Sequence, residues 1–361
     1  MAIEFVGMVS TRAQSEIFPP VGPVVDVDYS RAFAQAHEEA GFDRVLIGYQ
    51  SSMPDGFIVA ADLLAHTERL GVLLAHRPGF VAPTVAARKL ATLDQFSGGR
   101  LAVHTISGGD DQEQRRDGDY LDHDARYRRT DEYLQILRDI WTAEGPLDHH
   151  GEYYSFEGAY SEVRPVTKPH LPIYFGGSSD IAIEIAAKHA DVYALWGEPL
   201  ADAAAHIQGV KEAAARYGRN PGISLSLRPI LGSTEDEAWA RAYAILDTIN
   251  KSGSSSFYAS RNPTNVGSLR LLDAADRADV HDKRLFTALA AATGAAGNST
   301  SLVGTAEQVV DSLLDYIDIG VTTILIRGYD PLPDSEAYGE VIRLTREAVA
   351  SRSRHLAAAS S

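Results

Sequence analysis

The run IYFGGSSD (Ile173–Asp180) places two glycines and two serines between a short apolar segment and a helical pattern at Ile181–Lys188. Glycines admit a ligand close to the backbone. The first-turn amides of a helix have no partners of their own, and serine hydroxyls add donors, so the run makes a phosphate cradle on a helix dipole. The same residues also fit an ordinary N-cap, with Ser179 or Asp180 satisfying the helix's own amides. His123 and Tyr127 are four apart in YLDHDARY. On a helix they share a face and can reach one ligand group; alternatively, His123 caps the helix and Tyr127 packs with a wet hydroxyl. Arg228 interrupts the apolar run ISLSLRPIL (Ile223–Leu231). A lone buried charge is very costly, so this arginine either contacts an anion or sits in a structural salt bridge. Trp196 closes VYALW, and Tyr329 follows Arg327 after TTILI. Each fits either a ligand contact or plain packing.

Hard chemistry of the protein's own is scarce. The chain has no Cys, its 12 His are scattered, and HExxH, GxSxG and Walker patterns are missing. Metal and nucleophile mechanisms therefore do poorly, and a bound cofactor is the expected carrier of the reaction.

The elements that must position these residues are readable as short apolar runs. They are Glu4–Val9, Arg44–Gly48, Leu70–Ala75, Leu101–Ile106, Pro172–Phe175, Val192–Trp196, Ile223–Leu231 and Thr322–Gly328. Continuous apolar runs of this length read as strands covered on both faces. Helical patterns lie between them, such as Tyr29–Gly41 with its terminal glycine and Pro83–Gly99 with proline in the first turn. Eight βα units predict an α/β protein with a closed (β/α)8 TIM barrel. Two segments, Asp110–Glu162 and Asn250–Ser301, exceed the repeat and read as insertions at the C-terminal face of the strands. Residues 1–350 read as one domain and 351–361 as a frayed tail. In such a barrel the strand ends carry the site. That selects Ser10 and Thr11, Tyr49, His76 and Arg77, His104–Gly109, Gly176–Asp180, Trp196, Arg228 and Arg327–Tyr329.

Over 361 residues, Lys+Arg 33 against Asp+Glu 49 leaves a net charge of −16, which argues against a nucleic-acid or anionic-membrane partner. No apolar run is long enough to span a bilayer and no secretory leader is visible, so a soluble, cytoplasmic protein is expected.

Together the stretches RPGFVAPTVAARKLATLDQFSGGRLAVHTISGG, GDYLDHDARY, LPIYFGGSSD, YALWGEP, TEDEAW, SLVGT and RGYDPL resemble the bacterial-luciferase-like flavin monooxygenases, most closely the reduced-FMN-dependent alkanesulfonate monooxygenases. The resemblance implies a (β/α)8 barrel and a two-component system. A separate NAD(P)H-dependent flavin reductase supplies reduced FMN (FMNH2), and O2 oxygenates a small organosulfur substrate, giving an aldehyde and sulfite from an alkanesulfonate. It implies a flavin phosphate on Gly177, Ser178 and Ser179, flavin contacts at His123 and Tyr127, and Ser107 near the isoalloxazine. It places Trp196 and Tyr329 in the substrate pocket, with Arg228 on the substrate's anionic group and Tyr329 as a hydrogen donor. It further implies a homodimer or homotetramer.

The departures bear on the substrate. The family's Arg-x-His pair reads Ser226–Leu227–Arg228, its lid arginine is absent from the corresponding AAATGAAGNSTS (Ala290–Ser301), which has no basic residue, and its cysteine is replaced by Met53. A sulfone or a non-sulfur substrate is one alternative. Hydride transfer with the deazaflavin F420, as a dehydrogenase of the same superfamily, is another. The segments Asn250–Gly267 and Gly294–Ser301 read as a closing lid.

Overall fold

The computed structural model describes residues 3–252 and 265–359. Eight parallel strands alternate with helices: β1 (Glu4–Val9), β2 (Arg44–Ile47), β3 (Gly71–His76), β4 (Leu101–Thr105), β7 (Ile173–Gly176), β8 (Val192–Trp196), β9 (Gly222–Leu227) and β14 (Thr323–Ile326). They close into a barrel in the order β1-β14-β9-β8-β7-β4-β3-β2. This is the (β/α)8 barrel that the eight apolar runs predict. Within it, Phe5 pairs with Ile324 and Ile324 with Leu225, while Leu74 pairs with Val103 and Val103 with Ile173. All six residues of β3 are buried, as expected of a parallel strand covered on both faces.

The helices after the strands are α1 (Val27–Ala40), α2 (Gly56–Ala65), α3 (Pro83–Ser97), α5 (His123–Thr142), α6 (Asp180–His189), α7 (Leu200–Ala215), α8 (Glu235–Ser252), α11 (Ala306–Asp318) and α12 (Pro331–Ala359). Their ends follow local chemistry. Asp26 caps α1 by accepting from the Tyr29 amide, and Gly41 ends it in the left-handed region at φ 90°. Pro83 opens α3 and the left-handed Gly98 closes it.

The insertions hold the remaining elements. One carries α4 (Asp111–Arg116) and an antiparallel ribbon of β5 (Leu147–His150) and β6 (Ser155–Ala159). The other carries α9 (Val266–Arg277), β11 (Val280–His281), β12 (Leu285–Phe286) and α10 (Ala288–Thr293). Its strands join β10 (Ile230–Leu231) and β13 (Ser301–Gly304) in a four-stranded sheet ordered β10-β13-β12-β11.

Three expectations change. The single run Ile223–Leu231 splits into β9 and β10, because Pro229 has no amide proton and the Arg228 amide turns to the Thr300 carbonyl at 3.0 Å. The tail is not frayed from Ala350: α12 continues to Ala359, and Arg352 pairs with Asp318 at 2.8 Å. The second lid segment is largely buried, with Ala295 and Thr300 at 0% exposure. Ala295 accepts from Ser268, and the Thr300 hydroxyl donates to the Gly197 carbonyl at 2.7 Å. Part of the first lid segment, 253–264, lies outside the described residues.

Two compact units make up the chain. The first holds Met1–Val45, Ala194–Gly209 and Gly222–Ser361; the second holds Leu46–Tyr193 and Val210–Pro221.

Candidate functional site

In the second unit, β7 runs into Gly177, Ser178 and Ser179, and α6 begins at Asp180. Gly177 sits at φ +134°, where side chains other than hydrogen are strained. A Cβ there would lie 2.7 Å from Ala182 Cβ and 2.9 Å from Tyr127 Oη, so the position admits glycine alone. The Gly177 carbonyl is taken up by the Tyr193 hydroxyl at 2.5 Å, which fixes the turn. Ser179 is the N-cap of α6 in extended conformation, yet its side chain makes no capping bond. Its Oγ is buried, caps no amide of its own helix, and has the Tyr127 hydroxyl as its neighbour. The N-cap alternative thus loses its main support, and the helix start keeps its donors for a ligand. The half-buried Ser178 lies between these two residues.

Tyr127 and His123 approach this turn from α5, whose N-cap Asp122 accepts from the Ala125 amide at 2.7 Å. The two rings lie 4.7 Å apart, as their four-residue spacing requires. Tyr127 is buried edge-on against Phe175 at 6.2 Å. Burial raises its phenol, and the neighbouring Ser179 hydroxyl partly offsets that rise. His123 is exposed and does not cap the helix; its Nδ1 meets the Asp124 carboxylate at 2.7 Å. Ser107, just past β4, is buried and donates to Thr130 Oγ1 at 2.9 Å, which ties the strand end to α5. Its oxygen retains a lone pair for a ligand. On β4 itself, burial pulls His104 down to about 4, so its imidazole is neutral, and its Nδ1 has no partner.

The first unit treats its polar residues differently. Ile326 and Leu227 are register partners, so Arg327 and Arg228 leave β14 and β9 side by side. Arg228 is 1% exposed and grips Glu16 with both ends of its fork, at 2.8 and 2.9 Å. It also donates to the Gly328 carbonyl at 2.9 Å. Arg327 shares Glu16 Oε1 at 2.5 Å. Burial alone would raise the Glu16 carboxyl, but Arg228 and Arg327 bring it down to about 2. Its charge is matched by a buried carboxylate, as in the salt-bridge alternative.

Tyr329 is also placed differently from expectation. It is 1% exposed, with its ring 3.4 Å under the Arg228 guanidinium and its hydroxyl 3.3 Å from Ser301 Oγ. Burial raises its phenol further. It supports Arg228 and is closed off from a ligand. Trp196 is half-buried against a cluster of Leu271, Ala290 and Ala295. A Cβ on Gly267 would come within 3.0 Å of its ring.

The structure thus gathers Tyr127, His123, Gly177 and Ser179 around one turn, and Arg228 and Tyr329 in one buried cluster, with Trp196 packed beside α9. Sequence reasoning missed Glu16. The signal available for it was indirect: an arginine inside an apolar strand requires a nearby carboxylate. Among the described residues no group of three or more His, Asp and Glu is arranged to hold a metal ion.

The sequence matches the family model described as luciferase-like monooxygenase over residues 3–323. Among solved structures, the chain is similar to riboflavin lyase (RcaE), with TM-score 0.79 and 19% identity over 96% of this chain and 92% of that one. It is also similar to EDTA monooxygenase (EmoA) from Chelativorans sp. BNC1, with TM-score 0.77 and 18% identity over 96% and 94%. An F420-dependent secondary alcohol dehydrogenase follows, with TM-score 0.69 and 16% identity over 96% and 99%. At such identities the solved structures attest the barrel, and the family model carries the assignment: this chain belongs to the luciferase-like monooxygenases.

Proposed function

We propose that the protein is the oxygenase of a two-component, cytoplasmic system that takes reduced FMN from a separate NAD(P)H-dependent reductase and oxygenates a small organosulfur compound. The observation that carries this reading is the start of α6, where Ser179 leaves its own helix uncapped and its buried hydroxyl lies beside that of Tyr127. A phosphate monoester fits that donor set. In this reading Gly177, Ser178 and Ser179 bind the phosphate, and Tyr127 and His123 close around it. Ser107 bonds to the isoalloxazine, and Trp196 offers its exposed part as a wall for the substrate.

When bound, reduced FMN supplies the two electrons that activate O2. For an alkanesulfonate the balance is then closed: one oxygen atom enters the aldehyde, the other leaves as water, and the carbon–sulfur bond breaks to give hydrogen sulfite. The chain's own task is to bind, orient and exclude water. Tyr127 remains protonated because burial raises its phenol, so it can donate to the phosphate. His104 remains neutral near pH 7 and can exchange a proton through its unpartnered edge. Arg228 and Tyr329 hold the shape of the first unit's strand ends and make no direct contact with substrate.

Anaerobic titration with reduced FMN, followed by oxygen and a panel of sulfonates, sulfinates and sulfones scored for sulfite release, tests this reading. Association with reduced FMN and substrate-dependent sulfite are expected. If neither oxidation state of FMN associates, the reading fails. Reduction of F420 by a secondary alcohol under the same anaerobic conditions would replace oxygenation by hydride transfer.

A further inference from the structure

In the second unit, ring contacts show which way the side chains of β3 and β7 face. His76 meets Phe57 of α2 edge-on at 5.7 Å, and its Nε2 lies 2.6 Å from Tyr133 Oη of α5, so it points to the helices. Phe175 points the same way, against Tyr127 of α5. Successive residues of a strand face opposite sides, so Ala75 and Tyr174 lie on the inner face of the barrel wall. Ala75 pairs with His104, and His104 pairs with Tyr174. Register partners share a face, which puts the His104 imidazole on the inner face too, one residue before the end of β4.

Room is left beside that ring. Its neighbour on β3 is the methyl group of Ala75, and on β7 the inner face continues from Tyr174 to Gly176, which has no side chain. His104 is half-buried although its Nδ1 is enclosed, so the open edge of the ring is the one bearing Nε2. Among the described residues neither ring nitrogen has a hydrogen-bond partner. Burial holds the imidazole at about 4, so near pH 7 it carries one N–H and one lone pair. Enclosed N–H groups without an acceptor are rarer than bare acceptors, which assigns the proton to Nε2. The row thus presents a neutral donor with nothing to donate to. Tyr174, the register partner of His104, precedes Gly177 by three residues, about 10 Å along the chain. A phosphate at the turn and a ring at His104 suit the two ends of one ligand joined by a ribityl chain.

We propose that His104 donates its Nε2–H to the ring of bound FMN and thereby favours the reduced ring over the oxidised one. That the ring belongs to FMN rests on the monooxygenase reading; what His104 adds is a preference for one oxidation state. Reduced FMN carries a negative charge on its ring near neutral pH, and oxidised FMN does not. A hydrogen bond to an ionised acceptor is roughly twice as strong as one to a neutral acceptor, and a low local dielectric strengthens it. An oxygenase that takes reduced FMN from solution and releases it oxidised gains from such a difference.

Equilibrium titration of the full-length protein with oxidised FMN, and under nitrogen with dithionite-reduced FMN, tests the assignment. Wild type is expected to bind the reduced form about tenfold or more tightly than the oxidised form. His104→Leu removes the donor at similar volume. Its reduced-FMN affinity is expected to fall about tenfold, and its oxidised-FMN affinity by no more than about threefold. His104→Gln, whose amide N–H reaches about as far as Nε2, is expected to keep most of the preference. Equal affinities in wild type, or a preference that survives His104→Leu, overturn the proposal. Equal losses of both affinities overturn it as well, because His104 would then be a packing residue. If thermal unfolding shows that His104→Leu does not fold, nitrogen NMR of histidine-labelled wild type decides, with His104→Gln identifying the resonance. The protonated His104 nitrogen must shift more with reduced than with oxidised FMN, and an unshifted resonance overturns the assignment. Failure of FMN to associate in either oxidation state defeats the monooxygenase reading and this role together. FMN association with an unaltered ratio in His104→Leu defeats this role alone.

Discussion

The turn at Gly177–Ser179 and the cluster around Glu16 are both built from polar residues at strand ends, yet they are finished in opposite ways. At the turn, the helix start has no side-chain cap, and the buried Ser179 Oγ lies beside the Tyr127 hydroxyl and bonds to no amide. At the cluster, both carboxylate oxygens of Glu16 and both ends of the Arg228 fork are engaged with each other. A buried donor left open costs about 1–3 kcal/mol unless a ligand satisfies it. A pair closed on itself stabilises the fold and has little left to offer. The lesson is that residue type at a strand end does not identify a ligand contact; what distinguishes one is an unmet bond or unmatched charge. By that measure the start of α6 qualifies, while the Arg228 charge is matched by Glu16 even though its buried Nε stays without a partner.

The largest effect that can break this comparison is the loss of Glu16. Glu16→Gln leaves two guanidiniums without their carboxylate, and removing one partner of a buried pair costs about 3–5 kcal/mol. Urea unfolding near pH 7 measures it. The pH dependence fixes the cause. The folded-state carboxyl is held at about 2, below its ordinary 4.5. Its contribution is therefore complete above about pH 4.5 and is lost as pH falls towards 2. The stability gap between wild type and Glu16→Gln should shrink across that window. A gap that stays constant from pH 6 to pH 3 would mean that Glu16 packs without ion pairing.

On the other side of the comparison, Gly177→Ala tests whether the turn is built for a ligand. The new methyl would collide with Ala182 and Tyr127 at a φ suited only to glycine. Strain of about 1–3 kcal/mol follows, together with displacement of the amides at the helix start. Reduced-FMN affinity is expected to fall about tenfold or more, whereas thermal unfolding shifts by no more than this strain. A variant that loses affinity only in proportion to its loss of folded protein would show a general loss of folding and no separate cradle.

Much of the barrel was legible beforehand because parallel strands covered on both faces must be continuously apolar, and all eight runs became barrel strands. The helix at Ser179 and the adjoining, tilted His123–Tyr127 pair were legible for a similar reason: both depend on local spacing. Arg228 was legible only as a question. Its partner Glu16 lies 212 positions away in an irregular loop, and no local pattern links the two. The buried start of β13 misled for the opposite reason. Its Gly-, Ser- and Asn-rich sequence resembles a mobile loop, but hydrogen bonds from Thr300 and Arg228 fix it in place.

A smaller effect sharpens the cradle itself. Tyr127→Phe keeps the ring against Phe175 and removes only the hydroxyl that faces the turn. Loss of one hydrogen bond to a charged phosphate that keeps its other donors, about 1.5 kcal/mol, predicts roughly tenfold weaker association with reduced FMN and nearly unchanged thermal stability. Equal losses in affinity and stability would instead make Tyr127 a packing residue.

The smallest expected effect runs in the other direction. Asp180 is exposed in the first turn of α6, where its negative charge interacts favourably with the helix dipole. A phosphate at the same helix start competes for that dipole and is repelled by the carboxylate. Asp180→Asn should therefore cost a few tenths of a kcal/mol in stability, yet tighten FMN binding by about twofold. The gain should fade as salt rises from 50 to 500 mM, because the carboxylate is screened. If the substitution left FMN affinity unaltered at low salt, the phosphate would have to lie away from the start of α6, and Ser179 would need another ligand.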